Sequence, residues 1–142
     1  RAFMNDVYET VKEQGGEICL LNAKPDNWIK WLGADLYASH TKRMQTIVNK
    51  INFKVTIKEG HYNFIGSKHS ENRWVPEHIW NEQSFYAYGD RIGFLNFEEN
   101  SVDIFVLKQP QFADSFRFLF NIAWDQITMI PDAKNYKPQK DE

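Results

Sequence analysis

A chain of 142 residues with 42% hydrophobic and 15% aromatic side chains is long and apolar enough to enclose one core, which excludes a disordered or fibrous polypeptide. Its formal net charge of −2 excludes the strongly basic surface on which nonspecific phosphate-backbone binding depends. The single cysteine, Cys19, excludes an internal disulfide; its apolar neighbours Ile18, Leu20 and Leu21 point to a buried, reduced thiol and a cytoplasmic protein. No apolar run approaches the roughly 18 residues that a membrane-spanning helix needs.

Taken in chain order, Met4, Val7, Tyr8 and Val11 fall at helical spacing and Gly15-Gly16 closes the pattern, so a first helix is expected over 2–14. The apolar run at 17–22 predicts a buried strand. Pro25 and Asp26 suit the first turn of a helix, where the missing amide is no loss and a carboxylate meets the positive dipole end. Residues 26–51 then predict one long helix or one broken at Gly33, with His40, Met44, Ile47, Val48 and Ile51 along one stripe. Alternation of Phe53, Val55 and Ile57 with Lys54, Thr56 and Lys58 predicts a half-exposed strand.

Residues 59–83 hold Gly60, Gly66 and Pro76 among many polar groups, which predicts loops with one or two short ordered pieces. Trp74-Val75-Pro76 is expected to be briefly extended, because the residue before proline avoids the helical region. Strands at 85–88 and 92–97 flank a Gly89-Asp90 turn, and a third strand follows at 101–108. Residues 110–127 predict a helix so apolar that it should be nearly enclosed, by the sheet and the first helix or by a dimer partner. This order gives an α/β fold, a mixed sheet with helices packed on its faces, as a single domain over 1–127 followed by a mobile polar tail over 128–142.

Three local motifs in this order carry a family resemblance. They are Arg73-Trp74-Val75-Pro76, the strand-turn-strand from Phe85 through Gly89-Asp90 to Phe94, and Phe120-Asn121-Ile122-Ala123-Trp124. Together, across residues 4–126, they resemble the effector domain of TrmB-type sugar-sensing transcriptional regulators and the related phospholipase-D-like half-domains. Catalytic members of the latter carry His-x-Lys-x-x-x-x-Asp, whose imidazole attacks phosphorus and whose amine grips phosphate oxygens. With Asp90 at the acidic position, this chain has Phe85 for the lysine and Gln83 for the histidine. The resemblance therefore implies a retained scaffold without its catalytic pair, so no enzyme and no catalytic residue is expected.

The other chemistry-bearing groups read blandly beside their functional alternatives. His40-Thr41-Lys42 imitates the start of the catalytic motif but lies on a helix, with Ile47 where the acid belongs. His61, His69 and His78, with Glu71 or Glu77, could supply a metal, yet lack compact ligand spacing; no metal and no cofactor is expected. Lys42, Arg43, Lys50, Lys54 and Lys58 form a basic group read as a solvated face. Trp28, Trp31, Trp74 and Trp80 could stack on a flat-faced ligand, with core packing the default for each. Arg73 beside Trp74 could clamp an anion, against a surface ion pair, and Asp90 is most economically a turn residue. Arg73, Trp74, Trp80 and Asp90 are the expected ligand-binding set. The expected function is a non-catalytic ligand-sensing domain of a transcriptional regulator, with a sugar or phosphorylated metabolite as the expected ligand class. It is expected to form a homodimer, to avoid membranes, and to contact DNA only through a segment preceding Arg1. The alternatives are a stand-alone dimeric interaction protein and a phosphodiesterase-type enzyme.

Overall fold

The computed structural model describes residues 1–132. Its elements are α1 (Ala2–Gln14), β1 (Gly16–Leu21), α2 (Pro25–Leu32), α3 (Ala34–Gln45), β2 (Ile51–Lys58), β3 (Ser70–Val75), β4 (Ser84–Tyr88), β5 (Arg91–Phe97), β6 (Val102–Lys108) and α4 (Pro110–Gln126). The six strands form one sheet in the order β3-β2-β1-β4-β5-β6. β1, β2 and β3 run parallel; β4 adds antiparallel to β1, β5 antiparallel to β4 and β6 antiparallel to β5. The α/β fold with a mixed sheet and helices on its faces is as the residue pattern predicts.

Alternation along the strands sorts the core onto two faces. Ile18, Leu20, Phe53, Val55, Ile57, Tyr86 and Leu95 point to one face and pack with Phe3, Met4, Val7 and Val11 of α1, Trp28 of α2, and Tyr37 and Met44 of α3. Cys19 and Ala87 point to the other and pack with Phe120 and Trp124 of α4. Burial pushes the Cys19 thiol far up from its ordinary value, with the neighbouring Glu17 carboxylate adding to the effect, so the sulfur is inert.

The segment expected as one long or broken helix is broken at Gly33, which sits at φ 83° between α2 and α3. It also stops earlier than expected. α3 ends at Gln45, a short 3₁₀ turn covers Val48–Lys50, and Ile51 already belongs to β2. The brief extended piece at Trp74 proves to be a full strand, β3. Its polar alternation disguises it, because its inward residues satisfy the preceding loop instead of apolar neighbours. Asn72 donates to the Ile65 carbonyl at 2.9 Å and accepts from the Ile65 amide at 3.0 Å, and Ser70 donates to the Gly66 carbonyl.

The enclosure of the last helix by the sheet and the first helix together is corrected. α4 lies on the face opposite α1, so α1 does not cover it, and its outer side leaves Phe112, Phe118 and Leu119 each more than 60% exposed. Residues 128–132, placed by sequence in the polar tail, are held against the sheet edge. Met129 and Trp74 exchange both backbone hydrogen bonds, at 2.8 and 2.9 Å, and Tyr62 donates to Asp132. The rest of that tail, 133–142, lies outside the described residues. Among the described residues no helix is long and apolar enough to cross a membrane.

Candidate ligand-binding site

In a sheet with parallel strands, ligands are generally received outside the carboxyl ends of those strands. Here β1 is followed at once by Asn22, a left-handed residue at φ 57°, a conformation that asparagine tolerates better than most side chains. Asn22 is 2% exposed and makes hydrogen bonds through both its backbone and its side chain. Its backbone N–H donates to Thr56 Oγ1 at 3.0 Å, its side-chain Nδ2 donates to Asn81 Oδ1 and to the Gln83 carbonyl at 2.9 Å each, and its carbonyl accepts from Ser84 Oγ at 2.6 Å. One buried side chain thus pins the segment before β4 to the end of β1.

Above this pin lies a cleft of about 140 Å³. The turn into α2 forms one wall, through Lys24, Pro25 and Asp26, and Lys58 at the end of β2 forms another. His61, Asn63, Trp80 and Glu82 complete it. Lys24 Nζ meets Glu82 Oε2 at 2.6 Å, Trp80 Nε1 donates to Glu82 Oε1 at 3.0 Å, and Asn63 donates to Asp26 Oδ1 at 2.6 Å. The hydrogen bond from Lys24 holds the Glu82 carboxyl below its ordinary value; burial opposes this and the Trp80 indole adds to it. The cleft therefore offers two amines, two carboxylates, an imidazole and an indole edge. Such a set orients a small polar ligand through donors and acceptors together, and its volume is below the roughly 300–1,000 Å³ that encloses drug-sized ligands.

Of the four sequence-selected residues, only Trp80 lines this cleft. Trp74 is buried behind it, donating to the His61 carbonyl at 2.8 Å and packing edge-on to Tyr62 at 5.4 Å, so it positions the His61 segment. Arg73, its neighbour on β3, points to the opposite face. Its guanidinium lies 4.3 Å over the Trp124 ring and donates to the Trp124 carbonyl at 3.1 Å and to Glu71 at 3.0 Å. Asp90 lies at the far end of β4, in the hairpin turn. Burial acts to raise its carboxyl, but hydrogen bonds from Arg91 and Gln14 outweigh that and hold it below its ordinary value. Gly89 beside it, at φ 54°, has no room for a side chain, since a Cβ there would lie 2.6 Å from Thr10 Cγ2.

The remaining candidates are dispersed. Trp28 is core, stacked on Phe3 at 5.9 Å, and Trp31 lies half-exposed under Lys30. His61 reaches the cleft, His69 is buried beside Phe53 at 5.9 Å, and His78 lies in the 3₁₀ turn Glu77–Ile79. Among the described residues no three His, Cys, Asp or Glu side chains gather in a metal-binding arrangement. The basic group is divided: Lys42 and Arg43 are on α3, whereas Lys54 is on the other face, paired with Glu17 at 3.3 Å. Gln83 and Phe85, which replace the catalytic pair in the resemblance, line an open apolar groove of about 600 Å³ with Phe94 and Phe105. Sequence reasoning missed Asn22, Lys24 and Glu82. The signal for Asn22 was local, an asparagine directly after an apolar run and before a helix start; Lys24 and Glu82 carry none, because only the fold joins them.

No family model and no curated protein sequence matches this chain. Among solved structures, the fold is similar to that of TrmBL2, an archaeal chromatin protein whose structure shows a novel mode of DNA binding. The TM-score is 0.54 at 13% identity, over 88% of this chain and 49% of that one. The chain therefore spans about half the length of that structure, and at this identity the likeness is one of fold.

Proposed function

We propose that this domain is a non-catalytic regulatory module that receives a small polar ligand in the cleft at the carboxyl ends of β1 and β2 and belongs to a DNA-associated protein. The observation that carries the reading is the pairing of an ordered, mixed-charge cleft around Lys24, Glu82 and Trp80 with the Gln83 amide, just before β4, and the Phe85 ring on it, where phosphoryl chemistry needs an imidazole and an amine. The likeness in fold to a chromatin protein supports the regulatory setting. Sugars and sugar phosphates suit the cleft, since hydroxyls exchange hydrogen bonds with carboxylates, amides and amines while an indole packs on the ring face.

The test is a thermal-shift screen of sugars, sugar phosphates and nucleotides. A ligand at a hundred times its Kd should raise the melting temperature by roughly 8 °C in a domain of this size. Trp80→Ala should weaken that ligand about tenfold. Absence of any stabilising compound, or a hit indifferent to Trp80→Ala, overturns the assignment of the cleft.

A second copy of the chain is the partner that the open side of α4 favours. Phe105, Phe112 and Phe118 are each 63–66% exposed, and at roughly 200 Å² per side chain they alone present about 400 Å² of apolar surface. That is half of the roughly 800 Å² each partner contributes to a standard interface. Light scattering at micromolar concentration should report a dimer; a monomer at all concentrations removes this part of the reading.

A further inference from the structure

A second cavity, of about 190 Å³, lies between α1 and α3, away from the carboxyl-edge cleft. Asn5, Ser39, His40 and Arg43 form its polar side, with Arg1 also lining it. Met4, Leu32 and Leu36 form its apolar side. Among the described residues no carboxylate lines it, although acidic residues outnumber basic ones, 19 to 17, in the whole chain.

Arg43 reaches the cavity, and among the described residues no carboxylate pairs with it. Its Nη2 donates to the neutral Asn5 Oδ1 at 3.1 Å and its guanidinium lies 4.8 Å over the Tyr8 ring, while its buried Nε has no hydrogen-bond partner among the described residues. One turn away, His40 is 7% exposed and its Nδ1 is likewise without a partner. Burial, and then the Arg43 charge, lower the His40 pKa to about 3, so the imidazole is neutral and offers a hydrogen bond without adding charge. Buried polar groups ordinarily find partners within the protein or in bound molecules, and two unmatched donor-bearing side chains at positions i and i+3 of one helix border the same cavity.

We propose that this cavity is a binding site for a small organic anion, a carboxylate or phosphoryl group on a short apolar body, held by Arg43 and the Ser39, His40 and Asn5 side chains with its apolar part against Met4, Leu32 and Leu36. Guanidinium pairs well with either anion, and the apolar wall selects against a bare inorganic ion. The site is independent of the cleft around Trp80.

The test is calorimetric titration of the whole chain with butyl phosphate, butyrate and inorganic phosphate. Butyl phosphate or butyrate should bind more tightly than inorganic phosphate, and their order identifies the head group. Arg43→Gln should weaken binding at least tenfold. Ser39→Asp, which supplies a tethered carboxylate, should abolish binding and raise the melting temperature by roughly 3 °C; it also carries the test if Arg43→Gln fails to fold. Lys24→Gln, in the other cleft, should leave these titrations unchanged while impairing any ligand of that cleft. No saturable binding below roughly 10 mM, equal binding by Arg43→Gln and Ser39→Asp, or equal loss in Lys24→Gln each overturns the proposal.

Discussion

Replacing Arg73 with alanine separates a structural clamp from a ligand contact. The guanidinium lies on the face of Trp124, itself 3% exposed, and donates to the carbonyl that ends the last turn of α4. A hydrogen bond from a charged donor contributes about 1.5–3 kcal/mol and a cation–π contact about 0.5–2 kcal/mol. The Arg73 side chain retains 24% exposure, so the lower ends of both ranges apply. The pair with Glu71 adds little, since that carboxylate is 61% exposed. Lys54, also over the Trp124 ring at 5.7 Å, keeps part of the contact after the substitution. Arg73→Ala should therefore cost about 2–3 kcal/mol, or roughly 6–9 °C in melting temperature. Arg73→Lys should recover part of this, because it restores the charge without the planar stack. Glu71→Ala should cost under about 0.5 kcal/mol. Urea unfolding followed by tryptophan fluorescence measures all three. A loss below about 0.5 kcal/mol for Arg73→Ala, or a lost ligand response at unchanged stability, would return Arg73 to the ligand-binding set.

Stability should also depend on pH through two buried histidines. Burial lowers His40 to about 3, with the Arg43 and His69 charges adding to it, and burial lowers His69 to about 4. Both are neutral in the folded chain and titrate near 6.5 when unfolded, so their contribution is complete above pH 6.5 and is lost as pH falls below it. Between about pH 5.5 and 4.5 the unfolded state holds up to two more protons than the folded one, and stability should fall by about 2.7 kcal/mol per pH unit. Urea midpoints measured from pH 8 to 4.5 test this, and a flat profile contradicts it. Phe118→Lys should convert the proposed dimer to monomer with little loss of stability, since the ring is 66% exposed; light scattering decides, and a dimer that survives rules out the outer side of α4 as the interface.

Much of the fold was legible because the strands beside the core alternate strictly, as Phe53, Val55 and Ile57 do, and because Gly33 and the Gly89-Asp90 turn mark real breaks. β3 was illegible because Ser70 and Asn72 spend their inward positions on hydrogen bonds to a loop, so apolar periodicity never develops. The exposure of α4 was hidden for the opposite reason. A row of aromatics, Phe105, Phe94, Phe85, Phe116, Phe120 and Trp124, crosses that face with successive ring centroids 5.6–6.1 Å apart, and sequence alone cannot tell its buried members from its open end at Phe105. The site was least legible. Trp74 and Trp80 look equivalent in sequence, yet strand alternation and the backbone pairing with Met129 bury the first, while the second stands free to pack in the cleft. Lys24 and Glu82 are 58 residues apart and meet only because Asn22 ties the ends of β1 and β4.

That tie has a consequence for signalling. The cleft and the open groove are joined through one residue: Asn22 holds Asn81 and Gln83, Glu82 between them closes on Lys24, and Gln83, Ser84 and Phe85 line the groove. A ligand that draws Glu82 away from Lys24 pulls on the same short segment that shapes the groove, so ligand binding and dimerisation should be linked. Asn22→Gly removes only the side-chain half of the pin; the backbone bonds to Thr56 and Ser84 remain, and glycine accepts φ 57° without strain. It should cost about 1–3 kcal/mol of stability and leave ligand binding largely intact. The ligand-dependent change in dimer affinity, expected at about 5-fold or more in the wild type, should vanish. Sedimentation equilibrium with and without a cleft ligand measures it. A wild-type dimer indifferent to ligand, or Asn22→Gly retaining the full response, means the pin transmits nothing and the two sites are energetically separate.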